Sequence, residues 1–228
     1  MILRRWEDLP ASMKNDSVSR YYQSLSNKKL SLLAKRIFDI VFSLLMLILL
    51  FPIFIIISII IKVDSRGPIM FRQVRITQYG KKFRIFKFRT MVENAETTGS
   101  QVTTKNDNRV TNIGKILRKY RLDELPQLLN IIVGDMSFVG TRPEVEKYVE
   151  KYTDTMMATL LLPAGVTSQT SVEYKDEEQL LAESDDIDKL YVENILPSKM
   201  NINLKSIEEF SILTDIKIIL KTVFVVFS

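Results

Sequence analysis

The sequence predicts an α/β fold, mostly helical, built on one re-entrant membrane helix, with a small β-hairpin or sheet and amphipathic interfacial helices. Three observations carry this. Residues 40–61, IVFSLLMLILLFPIFIIISIII, hold no charge and two hydroxyls, Ser43 and Ser58. Residues 69–75 and 82–89 mix apolar residues with bases on either side of Tyr79-Gly80. Residues 113–133 and 212–227 repeat apolar residues at helical spacing.

Residues 1–34 read as a polar, loosely held N-terminal arm in which Trp6, Tyr21 and Tyr22 are candidate interfacial anchors. Residues 35–62 read as the membrane helix. A water-soluble helix needs a polar face, and the apolar run has none. Its 22 residues would span ~33 Å, enough for a hydrocarbon core. It starts too far into the chain for a secretory signal and lacks a cleavage pattern. Lys28, Lys29, Lys35 and Arg36 precede it, and Lys62, Arg66, Arg72 and Arg75 follow it. Both ends therefore look cytoplasmic. Pro52, near its middle, should kink a helix. A helix that enters, bends at Phe51-Pro52 and returns to the same leaflet reconciles these facts; a kinked span is the alternative, because spanning helices tolerate proline.

Residues 63–228 read as a cytoplasmic domain with interfacial helices. Asp64 to Pro68 is a turn leaving the membrane. The two runs around Tyr79-Gly80 form a hairpin with one apolar and one cationic face, the second run offering Phe83, Ile85, Phe86 and Phe88 between bases. Residues 93–112 read as a loop. Ile113 to Arg121 is a short amphipathic helix, and a second helix follows Pro126 and ends at Gly134. Pro143 to Tyr152 reads as helical, and residues 176–194 as an acidic, solvated helical stretch. Residues 212–227 carry Asp215, Lys217 and Lys221 among apolar residues, too polar for a buried span and suited to the membrane interface.

Composition narrows the chemistry. Among 228 residues there is no cysteine and no histidine, so disulfides, thiolate ligands, cysteine nucleophiles and every Ser-His-Asp arrangement are excluded. The 7 glycines include no G-x-G pair, which excludes a Rossmann fingerprint and a Walker loop. Chemistry falls to carboxylates, Lys, Arg, hydroxyls, backbone or a bound metal. The net charge is +5, and residues 62–89 hold nine Lys/Arg against Asp64 alone. That segment suits an anionic partner, or is a solvated basic surface.

Three constellations stand out. Asp123 and Glu124 follow Arg118, Lys119 and Arg121 directly. They are either a chemical dyad, one member attacking and the other holding a metal, or an acid pair at the N-terminus of the helix near Pro126. Arg142, in Gly140-Thr141-Arg142-Pro143-Glu144, suits forked recognition of phosphate, or a surface ion pair with Glu144 or Glu146. Lys87-Phe88-Arg89-Thr90-Met91 offers two bases, which are phosphate ligands or the solvated face of a strand.

KRIFD at 35–39, KFRTM at 87–91, LDELPQLLN at 122–130 and GDMSFVGTRPE at 134–144 together resemble the bacterial sugar transferase family, the monotopic polyprenol-phosphate phosphoglycosyl transferases. The resemblance runs from about residue 30 to the end. It implies transfer of a phosphosugar from a UDP-sugar to a polyprenyl phosphate such as undecaprenyl phosphate, with release of UMP, as the first membrane step of polysaccharide or glycoconjugate assembly. It further implies Asp123 as nucleophile, Glu124 as its partner in a Mg²⁺-bound dyad, Lys87 and Arg118 in the basic active site, and Arg142 and Arg89 on substrate phosphate. It implies the cytoplasmic face of the inner membrane, a nucleotide-sugar donor, a polyprenyl phosphate acceptor, contact with membrane lipid and no nucleic acid. Two departures bear on sugar or base recognition: Thr141 replaces the first proline of the family's P-R-P, and Pro163-Ala164-Gly165-Val166-Thr167-Ser168 replaces P-G-I-T-G with its following tryptophan. The chain is similar to the family's short form. The alternative reading is a membrane-anchored module whose basic hairpin binds anionic lipid or nucleic acid without catalysis.

Overall fold

The computed structural model describes residues 3–93, 95, 107–174 and 186–227. Most of the expected 93–112 loop, and residues 176–185 of the acidic stretch, lie outside them. The described part is mostly helical, with two small sheets.

Two 3₁₀ turns, Trp6–Asp8 and Ala11–Met13, lead into α1 (Asp16–Ser26). Asn15 caps α1 by accepting a hydrogen bond from the Val18 amide (2.9 Å), the standard way to satisfy a free first-turn N–H. α2 runs from Lys29 to Asp64, with Pro52 inside it. β1 (Met70–Ile76) and β2 (Lys82–Phe88) form the antiparallel hairpin. α3 (Asn112–Lys119) is capped by the Thr111 hydroxyl. α4 (Gln127–Val133) ends at Gly134, whose φ of +94° allows the chain to reverse out of the helix. β3 (Met136–Val139) pairs in parallel with β4 (Ala164–Thr167). Between them lie α5 (Glu146–Val149), shorter than the helix expected from Pro143 to Tyr152, and a 3₁₀ segment, Met156–Leu161. α6 (Gln169–Glu173), α7 (Ile187–Leu190), a π-helix (Tyr191–Ile195), α8 (Leu196–Glu208) and α9 (Ile212–Phe227) complete the order.

The N-terminal segment packs against the rest of the chain. Leu9, Met13, Val18 and Leu25 are buried in one cluster with Ile76, Leu160, Leu161, Leu204, Ile207 and Phe210, and Trp6, Tyr21 and Tyr22 pack at its rim. These aromatics, expected as membrane anchors, therefore serve the protein's own core. Tyr22 donates to the Arg4 carbonyl (2.9 Å), and the Lys28 ammonium reaches the Glu208 and Phe210 carbonyls (both 3.0 Å).

α2 is the one helix among the described residues long and apolar enough to cross a membrane, and only 11 % of its most apolar 18-residue window is buried. A core helix of a soluble protein would be mostly covered; this one is not. Both of its halves nevertheless grip the same body. In the first half, Arg36 donates to the Ile131 and Ile132 carbonyls (2.6 and 2.9 Å), Lys35 to the Val139 carbonyl (2.9 Å), and Asp39 accepts from the Phe138 amide (3.2 Å). Lys35 also pairs with Asp215 of α9. In the second half, Phe54, Ile57 and Ile61 pack on Phe88 and Leu117. Between these contacts, Ile48, Leu49 and Phe51 are 75, 71 and 62 % exposed. α9 presents a second apolar face: Leu213, Leu220, Val223 and Phe224 are exposed, while Ile218 is buried.

Candidate active site

Strand parity brings Lys87 inside. Residues 83, 85 and 87 of β2 point to one face, and Phe83 and Ile85 are buried there against Leu128, Ile131 and Met136. Lys87 continues that inward row, its side chain only 20 % exposed. Phe86 faces the other way, under the Arg72 guanidinium at 3.9 Å. The hairpin's cationic face is thus the outer one, and Lys87 is not on it.

The dyad is held opposite. Arg121, at φ +51°, turns the chain out of α3 in the left-handed region, a conformation that few non-glycine residues adopt. A 3₁₀ turn, Leu122–Glu124, follows, with both carboxylates 8 % exposed. Neither caps α4: its N-terminal boundary, Pro126, has no side-chain cap. Asn130 fixes α4 to the hairpin instead. Fully buried, it accepts from the Phe86 amide (2.8 Å) and donates to the Arg84 carbonyl (3.0 Å), imitating a strand partner for β2. Sequence reading missed this residue; the available signal was a polar amide with weak helix propensity inside the apolar row LLNII.

The third support is the turn after β3. Gly140 and Gly165 approach so closely that a Cβ on Gly165 would lie 2.2 Å from the Gly140 nitrogen. The contact lets the Gly165 amide donate to the Thr141 carbonyl (2.9 Å) and the Gly140 amide to the Thr167 carbonyl (3.0 Å). Arg75 donates to the Pro143 carbonyl (3.2 Å). Arg142 thereby reaches Glu124.

Glu124 Oε1 accepts from Arg142 (2.7 Å) and from Lys87 (3.0 Å), while Arg121 stands 3.9 Å from Oε2. The acids expected as surface partners of Arg142 have others: Glu146 binds Lys82 (2.6 Å), and the Glu144 carboxylate accepts from Tyr191. Burial opposes ionisation of Glu124, but Arg142, Lys87 and Arg121 together hold its carboxyl well below the usual range. Burial pushes the Asp123 carboxyl up to about 6; Lys87 opposes this, the Glu124 charge adds to it, and Arg118 and Arg142 oppose it. Among the described residues nothing donates a hydrogen bond to the Asp123 carboxylate. Burial, reinforced by Arg142, lowers the Lys87 ammonium against the pull of Glu124 and Asp123.

Arg118 donates from Nε to the Thr90 hydroxyl (2.9 Å), anchoring α3 to the strand's end, with its charge bearing on Asp123. Arg89 is turned away. Its Nη2 donates to the Ser65 carbonyl (2.7 Å), the Ser65 hydroxyl (2.9 Å) and the Ile61 carbonyl (3.4 Å), at the C-terminal end of α2, where a cation suits the helix dipole. The structure thus brings Lys87, Asp123, Glu124 and Arg142 together, with Arg118 beside them and Arg89 apart.

Two adjacent carboxylates, one without a hydrogen bond, are hard oxygen donors of the kind Mg²⁺ shares with substrate phosphates. Among the described residues no group of three His, Cys, Asp or Glu gathers. A metal here would take its remaining ligands from phosphate oxygens and water.

The bacterial sugar transferase family model matches residues 30–228. The chain is 36 % identical over 198 residues to the UDP-glucose:undecaprenyl-phosphate glucose-1-phosphate transferase of Klebsiella pneumoniae, covering 86 % of this chain and 40 % of the relative. It is 36 % identical over 206 residues to the galactosyl transferase CpsE of Streptococcus agalactiae, covering 86 and 42 %. It is 34 % identical over 206 residues to the exopolysaccharide production protein ExoY of Sinorhizobium fredii, covering 84 % of each. The chain spans well under half the length of the first two. The match takes in every element that builds the carboxylate dyad and its cations, and it shows that this chain belongs to the bacterial sugar transferase family.

Proposed function

We propose that the protein transfers a sugar-1-phosphate from a UDP-sugar to undecaprenyl phosphate, or a similar polyprenyl phosphate, through a covalent intermediate on Asp123. The observation that carries this is the division of labour in the dyad. Two cations occupy Glu124, leaving the Asp123 carboxylate buried, beside positive charge and without a hydrogen bond from any described residue. A desolvated carboxylate so placed is a nucleophile in waiting.

In the first step an Asp123 carboxylate oxygen attacks the sugar-bearing phosphorus, and the bond from that phosphorus to the bridging oxygen breaks. UMP departs with the electron pair. In the second step a phosphate oxygen of the lipid attacks the same phosphorus, and the aspartyl oxygen leaves as carboxylate. No proton transfer is needed, in keeping with a chain without histidine. Both steps bring anions together. Lys87, Arg118 and Arg142 would neutralise the donor's phosphates, and Glu124 would hold Lys87 and Arg142 in place. Asp123 and Glu124 would also hold Mg²⁺, which when bound supplies further charge neutralisation at phosphate oxygens.

The same reading puts α2 into the membrane as a re-entrant helix on the cytoplasmic face. A helix crossing ~30 Å of hydrocarbon leaves one end on the far side. Here residues 35–39 and 54–65 both hold one body, and the exposed apolar stretch lies between them. This supports a bend near Pro52 and a site at headgroup depth, where the acceptor's phosphate lies.

The test is release of UMP without acceptor. Mixing enzyme with a UDP-sugar should give one UMP per enzyme and leave labelled phosphosugar on the protein, discharged by adding polyprenyl phosphate. Absence of both the burst and the label, in enzyme that turns over with acceptor, would mean direct transfer.

A further inference from the structure

Behind the Arg142 turn lies a buried charged cluster that the reaction does not use. Glu144 Oε1 accepts from the Tyr191 hydroxyl at 2.5 Å. The Lys199 ammonium donates to the same hydroxyl at 3.2 Å and stands 4.0 Å from Glu144 Oε1. The three residues are 7, 3 and 5 % exposed. Tyr191 opens the π-helix Tyr191–Ile195, a wide turn that recurs at functional sites, and Lys199 sits in α8. The aromatic ring of Tyr148 packs on that of Tyr191, with centroids 4.6 Å apart, and Arg75 faces both Glu144 and Arg142.

An acid and an ammonium taken out of water are expensive, and well-packed apolar side chains in their place would leave a core as stable or more so. Their placement explains the expense. Glu144 is two residues from Arg142, across a rigid proline. The backbone of this turn is held at Thr141, Pro143 and Glu144 by Gly165, Arg75 and the Ile76 amide. The Glu144 side chain adds an anchor that comes from the C-terminal helices.

We infer that Tyr191 and Lys199 are positioning residues: through Glu144 they fix the turn that aims Arg142 at Glu124 and at the donor's phosphates. The inference rests on the phosphosugar-transfer reading for the role of Arg142. A phenol between a carboxylate and an ammonium fixes direction as well as distance, because the hydroxyl donates to the acid and accepts from the amine. Loss of the hydroxyl leaves Glu144 able to swing toward Lys199, and the turn loses one restraint without losing volume.

The test is a double-mutant cycle of Tyr191→Phe and Arg142→Ala in the full chain, read by UDP affinity and by UMP release from a UDP-sugar with polyprenyl phosphate present. Tyr191→Phe alone should lower UDP affinity and kcat/KM about tenfold, the scale of one hydrogen bond to a charged acceptor, and lower the melting temperature by a few degrees while the chain stays folded. In the Arg142→Ala background the same substitution should cost almost nothing, because the group it positions is gone. Lys199→Gln should repeat the pattern and keeps the question open to test should Tyr191→Phe fold poorly. Wild-type values for both single variants, or equal losses with and without Arg142, would overturn the inference. Absence of UMP release by the wild type would sink the transfer reading alone, and the UDP affinities of the four proteins would still decide the positioning role.

Discussion

Replacing Asp123 with Asn should make the metal-free protein more stable while abolishing transfer. Burial raises the Asp123 carboxyl from 3.8 to about 6, with Lys87 opposing, Glu124 adding, and Arg118 and Arg142 opposing. A carboxyl whose pKa is higher in the folded chain than in the unfolded one favours folding when protonated. That contribution is complete below pH ~4 and is lost as the pH rises through about 6. At pH 7.5 the folded chain therefore bears the whole cost of an ionised Asp123. A gap of about two pH units corresponds to ~3 kcal/mol. For a chain of this size, ~1 kcal/mol moves the melting temperature by about 2–4 °C, so Asp123→Asn should raise it by ~6–12 °C at pH 7.5. The gain should shrink to a small fraction of this at pH ~4, close to the ordinary aspartate value, where the folded carboxyl is already protonated and the unfolded one is about half so. Melting curves of the two proteins in nanodiscs, with chelator present, at pH 4, 6 and 7.5 would measure this. An Asn variant no more stable than the wild type at pH 7.5, or equally stabilised at every pH, would refute the argument that burial of an ionised Asp123 strains this site.

Two further outcomes follow from the same geometry. Single cysteines at Asn27 and Lys151, both exposed positions in a naturally cysteine-free chain, should resist a membrane-impermeant reagent in intact cells and react in opened ones; labelling of Asn27→Cys alone in intact cells would establish a true span, and Pro52→Leu should shift the chain toward that pattern with loss of activity. Excess chelator should abolish transfer, and Mg²⁺ should restore it in the wild type but not in Glu124→Gln; full activity in chelator would remove the metal from the mechanism.

Local rules made much of the molecule legible. A run of apolar residues with no polar face can only be a membrane or core helix, and the low burial of α2 excludes the core. Gly134 ends α4 and Thr111 opens α3 because caps are decided by residues within one turn. The hairpin followed from its alternation, and the dyad and Arg142 from their motifs. What lay beyond reach depended on partners distant in the chain. Lys87 looked like one more base on a cationic strand, and its inward direction was set by parity with Phe83 and Ile85 and by a carboxylate 37 residues away. Arg89, two positions on, shares that motif but closes the end of α2, where its guanidinium binds the Ser65 carbonyl and hydroxyl 24 residues away. Glu144 looked like a surface partner for Arg142, yet it is buried by a phenol 47 residues later. The N-terminal aromatics carried amphipathic chemistry that fits a membrane or a core equally, and only the apolar surface of Leu160, Leu204 and Phe210 decided between them. Hydropathy and turn chemistry act over a few residues, so the sequence alone determined α2, the hairpin, α3, α4 and α9, but neither α1 in the N-terminal arm nor the parallel β3–β4 pair. Which carboxylate is neutralised and which is left without a hydrogen bond among the described residues depends on charges converging from four separate elements, and that was decided by the tertiary structure.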